Sequence, residues 1–458
     1  EGGRNLVEAA QIALGSSKTY YLDTPGDDTS GVLTACVTAG TNSTFRLTVN
    51  GKEYPETTIS LSKYDKAMFT TVTYNVDAHP TDTVTLTCLS GGPLRLDYLS
   101  LRTSTPRPAP DLQNGTFPAA EYVYRIMNQD HHGDSIVDMT IIIPTSQTLL
   151  AQATRLKEHH EKHDGLSVRI VPADELYNEF SSGTPDVSAY RRYMKMLYDR
   201  GDEKKNPKYL LLFGDSKWDN RLLSSGCRGL NADNLLLCYE SENSYNAENC
   251  LVSDDFIAML DDNEALVRSG SYTGTPDIAI GRFPVTTPTE AKILVGKTIS
   301  YAENKNVGDW QNIMMFLGDD GDNNLHMTDI NSVADSIIKD FPGYNVKKVY
   351  WDAYKRTMSA TGNRYPEVEN IIKTQQKNGA LIMDYVGHGA PESISHEYVL
   401  RLTDFADFRN TNLPLWITAS CDVGPFDGNS STIGETVILN EKGGGVAFFG
   451  TTRTVLAF

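Results

Sequence analysis

"LIMDYVGHG", residues 381–389, is the stretch on which the fold turns. A short, mostly apolar run ends in a histidine held between two glycines. A run of this length bounded by glycine reads as a strand buried on both faces. Two other runs share the design: "NIMMFLGDDGD" (312–322) ends on Asp319, Asp320 and Asp322, and "LPLWITASCD" (413–422) ends on Cys421. Helix-like segments alternate with them, at "TDINSVADSIIKDF" (328–341), "PEVENIIKTQQKNG" (366–379) and "STIGETVILNEKGG" (431–444). Such alternation predicts a parallel sheet with helices on its faces. Active sites in open sheets of this kind form beyond the carboxyl ends of the strands. If these strands are neighbours, His388, Cys421 and a carboxylate meet at one edge.

An earlier round of the same pattern lies upstream. "IVDMTIIIP" (136–144) and "KYLLLFGDS" (208–216) read as buried strands, and "SVRIVPADELY" (167–177) as a strand and turn. "TLLAQATRLKEHHEKH" (148–163) and "DVSAYRRYMKMLYDR" (186–200) read as amphipathic helices, the second capped by Asp186. The first hundred residues differ: "TFRLTVNGKEY", "AMFTTVTYNV", "DTVTLTCLS" and "LRLDYLSLRT" alternate polar with apolar residues, and Asn50-Gly51 signals a tight hairpin. The expected organisation is therefore a β-sandwich-like domain over 1–107 and a Pro-, Ser- and Asn-bearing linker over 108–130. An α/β subdomain A over 131–305 and a catalytic α/β subdomain B over 306–458 follow. The apolar ending "GGGVAFFGTTRTVLAF" leads us to expect a natural chain that continues past Phe458.

Composition narrows the function. With 41 Lys+Arg against 59 Asp+Glu, the net charge of −18 argues against nucleic acid or an anionic membrane surface as partner. No window reaches the roughly 18 apolar residues of a membrane span, and the opening "EGGRNLVEAA" lacks the pattern of a signal peptide. The six cysteines show no CxxC or Cys/His metal spacing, so zinc is not expected. Cys36 and Cys88 read equally as a bridge or as buried thiols.

The chemistry available to the strand ends is specific. An adjacent imidazole turns a cysteine thiol into a thiolate nucleophile and can later protonate a leaving amine. Gly389 and Cys421 N–H groups are candidates for an oxyanion hole. Each residue alone also has a structural reading, Cys421 as a small buried hydrophobe and His388 as a strand-end histidine. "DDGDNN" partly matches a Ca2+ loop through Asp320, Asp322 and Asn324, although Leu325 replaces the needed glycine and Asn331 the bidentate glutamate. No cofactor is required by this chemistry; a structural Ca2+ there is the one metal the spacing admits.

Together, "YVGHG", "LPLWITASCDVGPFD", "GET" and "GGGVAFFGTTR" resemble the gingipain family of caspase-like cysteine peptidases. "PKYLLLFGDSKWDNR", "IAIGRFPVTTPTEA" and "FLGDDGDNNLHMTDIN" extend the resemblance upstream, towards the branch of sortases, or C-terminal signal peptidases, of the type IX secretion system of Bacteroidetes. The resemblance implies a caspase/gingipain-like α/β fold of tandem subdomains with mostly parallel sheets, preceded by the all-β domain. It implies a dyad of Cys421 as nucleophile and His388 as general acid/base, with Asp320 orienting the histidine. The place of the S1 aspartate in arginine-specific members falls on Met327, beside His326, so a preference for arginine is not expected. His396 and Glu397 follow closely enough to contact substrate. The implied partners are the C-terminal signal domains of secreted cargo, anionic lipopolysaccharide as acceptor, and an outer-membrane attachment component such as a PorV-like anchor. The implied location is the outer face of the outer membrane. Two other readings stand beside this one: a secreted endopeptidase of broad substrates, and a non-catalytic scaffold that binds cargo.

Overall fold

The computed structural model describes residues 7–24, 28–105, 113–115, 117, 119, 128–241, 245–246, 250–264, 274–359 and 362–455. The chain forms two compact units, residues 1–128 with 242–249, and residues 129–241 with 250–458. Most of the linker expected over 108–130 lies outside the described residues.

The first unit contains strands β1 (Ser17–Asp23), β2 (Ser30–Ala39), β3 (Ser43–Val49), β4 (Lys52–Glu53), β5 (Thr57–Ile59), β6 (Met68–Asp77), β7 (Thr81–Ser90) and β8 (Leu94–Thr103). They make two antiparallel sheets, β1-β7-β3-β4 with β5 added to β3, and β6-β2-β8. Every second residue enters a shared core: Leu33, Ala35 and Val37 from β2, Phe45, Leu47 and Val49 from β3, and Val84, Leu86 and Cys88 from β7. That period of two is the alternation read from the sequence. Asn50 and Gly51 take φ of 49° and 83° and close the expected tight turn between β3 and β4. Cys36 and Cys88 are buried free thiols.

The second unit opens with β9 (Met139–Ile143), α1 (Leu150–His159), β10 (Val168–Pro172), α2 (Ala173–Phe180), α3 (Ser188–Asp199) and β11 (Tyr209–Phe213). A short hairpin, β12 (Tyr239–Glu240) and β13 (Val252–Ser253), then leads through α4 (Asp255–Ala258) to β14 (Ala279–Phe283) and α5 (Pro288–Ala302). The sheet β10-β9-β11-β14 is wholly parallel. Its central strands bury alternate residues on opposite faces. Ile142, Leu210 and Leu212 pack with α2 and α3, and Ile141, Ile143, Leu211 and Phe213 with α1 and α5. The Asp186 carboxylate accepts from the Ser188 N–H at 2.8 Å, supplying the expected cap. Thr287 and Glu290 form a capping box over Pro288 at the start of α5.

A second parallel sheet follows, built from β15 (Ile313–Gly318), α6 (Leu325–Asp340) and β16 (Asn345–Tyr350), with a hairpin of β17 (Thr357–Ser359) and β18 (Gly362–Arg364) before α7 (Pro366–Asn378). Next come β19 (Ile382–Val386), a small sheet of β20 (Gly389–Ala390), β21 (Ser393–Ile394) and β22 (Leu400–Arg401), and α8 (Leu402–Asp407). The unit ends with β23 (Leu415–Ala419), α9 (Ile433–Leu439) and β24 (Ala447–Gly450). The strand order is β16-β15-β19-β23-β24, all parallel. Met314 and Phe316 face α6, whereas Met315 and Leu317 face the core of α7, α8 and α9. The chain leaves β15 towards β16 on one side and returns to β19 on the other. That reversal opens a crevice at the carboxyl ends of β15 and β19. The α/β class with a preceding antiparallel β region matches the expectation from sequence. Among the described residues, no helix is long and apolar enough to cross a membrane.

α9 joins the two sheets. Val437 lies in the core of the second sheet, while Ile438 and Leu439 pack against that of the first. Lys297 of α5 reaches its last turn and donates to the carbonyls of Val437, Ile438, Asn440 and Gly443 at 3.3, 2.8, 3.2 and 2.9 Å. Lys297→Met keeps the aliphatic stem but removes the charged donor from all four carbonyls, of which Val437 keeps the Gly445 N–H at 2.9 Å and Asn440 the Gly443 N–H at 3.5 Å, and is expected to cost about 3 kcal/mol, read as a lower denaturation midpoint.

Candidate active site

Register sets the expected residues at neighbouring strand ends. Gly318, Val386 and Ala419 lie side by side at the ends of β15, β19 and β23. Two residues beyond each stand Asp320, His388 and Cys421. The Gly387 N–H donates to the Ala419 carbonyl at 3.3 Å, and the Asp319 N–H to the Val386 carbonyl at 3.4 Å, so pairing persists past the strand ends.

Asp319 anchors this corner. It is 1% exposed. Its carboxylate accepts from the His388 backbone N–H at 2.7 Å, from the Tyr385 hydroxyl at 3.0 Å and from His326 Nδ1 at 2.5 Å. The His388 carbonyl accepts from the Ser395 N–H at 2.7 Å. The backbone carrying the histidine is thus held on both sides before its ring makes any contact. The sequence reading placed the orienting carboxylate on Asp320. In the structure Asp320 accepts from the Tyr365 hydroxyl at 2.7 Å, and Asp322 faces the ring, with Oδ2 3.7 Å from His388 Nε2.

The His388 ring lies parallel to His396, with centroids 4.0 Å apart, and edge-on to His326 at 4.9 Å. Burial, followed by the cationic forms of His396 and His326, pushes its pKa below the ordinary imidazole value, against the pull of Asp319 and Asp322. The ring therefore favours its neutral, proton-accepting form. A Cβ on Gly321 would come within 2.7 Å of that ring, so only glycine lets the β15 loop close on it.

Gly389 makes the link to Cys421. A Cβ there would lie 2.2 Å from Ser420 Oγ and 3.1 Å from the Cys421 carbonyl. The bond from Ser395 N to His388 O makes Gly389 and Ile394 a non-hydrogen-bonded pair of the β20–β21 ladder. The Gly389 N–H therefore points away from that ladder. Ser420 Oγ is buried and has no hydrogen-bond partner. Cys421 is half-buried, with Sγ 3.1 Å from the Val455 carbonyl and 3.5 Å from its N–H.

The Cys421 loop is braced by charges that sequence reasoning missed. Arg453 forks onto Asp427 at 2.9 and 2.6 Å. Arg282, itself forked onto Asp254 at 2.8 and 2.7 Å, lies 4.8 Å over the Phe426 ring. Lys217 donates to the Gly428 carbonyl at 2.6 Å and pairs with Asp215.

The remaining candidates divide. His396 and His326 flank the histidine. Met327, 6% exposed, backs Gly318 in the core instead of lining open space. Glu397 bonds to Ser395, and its carbonyl accepts from Arg364 at 2.9 Å. The proposed Ca2+ loop fits a hard cation poorly. Asp322, Asn323 and Asn324 take positive φ, Asp320 is turned to Tyr365, and Asp322 groups with two imidazoles, His326 and His388.

Comparison with known proteins agrees with this fold. The chain is similar to dimeric latent PorU from Porphyromonas gingivalis, with 21% identity and a TM-score of 0.54, over 70% of this chain and 40% of that one. It is also similar to a structure described simply as a protease, with 15% identity and a TM-score of 0.51, over 69% and 60% of the two chains. The chain thus spans well under half of the PorU chain, and these two likenesses establish the fold. An uncharacterized protein of Archaeoglobus fulgidus is 23% identical over 341 residues, 68% of this chain and 75% of that protein. The family model for Peptidase family C25 matches residues 132–458. With the whole α/β unit inside that match, the chain belongs to peptidase family C25, the gingipain and PorU family of cysteine peptidases.

Proposed function

We propose that this chain carries the peptidase part of a PorU-type sortase, which removes the C-terminal signal domain of type IX secretion cargo. The observation that carries the reading is the equal offset of His388 and Cys421 beyond paired residues of adjacent parallel strands, with the Gly389 N–H aimed out of its ladder. In the proposed mechanism His388 takes the thiol proton as Cys421 Sγ attacks the scissile carbonyl carbon. The Gly389 and Cys421 N–H groups receive the oxyanion. Collapse of the tetrahedral species breaks the C–N bond, and His388 returns its proton to the amine of the departing signal domain. The cargo then remains as a thioester on Cys421. Water, or an amine of anionic lipopolysaccharide, attacks that carbonyl, His388 takes the proton the nucleophile sheds, and it returns that proton to the sulfur as the C–S bond breaks. Positioning of the amine decides which wins. In this reading the protein works at the cell surface, tethered by an outer-membrane component of PorV type.

Incubation of the full-length protein with cargo bearing its C-terminal domain tests the proposal. Release at the domain junction is expected; digestion of casein without junction selectivity would instead support a broad endopeptidase. The pH profile gives a second check. Because burial and His396 hold the His388 pKa down, the acid limb of kcat/KM should fall below the ordinary imidazole value of about 6.5. His396→Ala uncovers the ring and removes a like charge, so the limb should move to higher pH. An unmoved limb would remove His396 from the titration.

A further inference from the structure

Three of the nine histidines lie far in sequence from the candidate active site, in "HHEKHD" at 159–164. α1 ends at His159, and its last turn widens into a π-helical turn over His160–Asp164 that closes on Gly165 at φ 69°. Single π turns inside or at the end of α-helices recur at functional sites. Here the wider turn stacks the His159 ring on His163, with centroids 4.9 Å apart and planes 16° from parallel. Asp164 bonds to Nδ1 of His160 at 2.6 Å and to Nδ1 of His163 at 2.7 Å. Oδ2, held by His160, is the oxygen that can turn to an ion, while Oδ1 on His163 Nδ1 leaves that ring's Nε2 as its lone-pair nitrogen. His159 Nε2 is buried and has no hydrogen-bond partner. Ligand atoms of His159, His163 and Asp164 all lie within 4.8 Å of one another.

We propose that His159, His163 and Asp164 form a site for a transition-metal dication such as Zn2+, with water in the fourth position. Two imidazoles and one carboxylate suit Zn2+, Ni2+ or Cu2+ and not the all-oxygen preference of Ca2+. Ligand atoms around one Zn2+ stand about 3–4 Å apart, so small side-chain rotations close the set. His163 and Asp164 are exposed, which leaves an entry path. Glu303, at the carboxyl end of α5 and paired with Lys305, is near enough for its charge to act on both His159 and His163. A bound ion would fasten the carboxyl end of α1 and couple it electrostatically to the end of α5.

The test compares Zn2+ and Co2+ titrations of the chain with those of His159→Ala/His163→Ala. The Asp322, His326 and His388 group is present in both proteins and cancels in the difference. We expect the wild type to bind one equivalent more, with stronger visible bands for its Co2+ form and a Zn2+-dependent rise in melting temperature that the double variant lacks. Asp164→Asn should weaken that equivalent about 10-fold or more, and Ca2+ should not compete for it. Because the cluster is at the surface, the metal-free melting temperature should be unchanged; if the double variant does not fold, His163→Gln serves in its place. Equal stoichiometry and equal Zn2+-induced stabilisation in wild type and variant would overturn the proposal.

Discussion

Cys421→Ala is expected to lower turnover at the cargo junction about 10^4- to 10^6-fold while leaving the melting temperature nearly unchanged. The rate effect is large because the variant loses the covalent route itself, whereas the oxyanion donors and substrate contacts remain. The stability effect is small because Cys421 is only half-buried and its Sγ bonds the Val455 backbone near the surface. Single-turnover release of the signal domain, followed by gel and mass spectrometry, separates the two quantities. The double variant with His388→Ala should be no slower than either single one, since the two residues act as a unit. Release within tenfold of the wild-type rate would sink the proposed nucleophile.

The second large effect falls on Asp319, and it distinguishes the structure from the sequence reading. Asp319→Ala removes one acceptor from the His388 N–H, from His326 Nδ1 and from the Tyr385 hydroxyl. Losing a buried carboxylate of this kind should destabilise the unit by about 3–5 kcal/mol. Displacement of the histidine loop should also slow catalysis about 100-fold, as misplacement by an ångström can. Asp320→Asn, by contrast, keeps an oxygen for Tyr365 and leaves the His388 backbone untouched, so activity should stay within about threefold of wild type. Denaturation curves and kcat measured on both variants check this ordering. If Asp320→Asn is the slower enzyme, the carboxylate that matters is the one expected from sequence.

Much of this was legible because burial on both faces leaves a strong mark. "TIIIP", "YLLLF", "IMMFLG" and "LWITA" are short apolar runs, and each is a central strand of its sheet. The β region was legible for a different reason, since one wet face forces alternation. β14 escaped notice from pattern alone. As an edge strand carrying Gly281 and Arg282, it has no apolar run to display. The tiny strands β20–β22 were equally silent, being too short for any periodicity. At the site, the residues at strand ends could be named because a sharp break from apolar to polar marks them. That Asp319 holds the His388 backbone and Asp320 the Tyr365 hydroxyl depends on side-chain direction, which adjacent carboxylates conceal in a sequence. The contributions of Arg453, Arg282 and Lys217 were hidden for another reason: their partners are separated from them by tens to hundreds of residues.

The placement of α9 has a consequence for cooperativity. A helix that contributes Val437 to one core and Ile438 and Leu439 to another, with Lys297 fastening its end, leaves neither sheet a complete hydrophobic interior of its own. The two halves of the α/β unit consequently behave as a single foldon. A protease cut in the Asn304–Gly308 connection severs the chain but not the body, and the fragments remain together until both sheets unfold in one step.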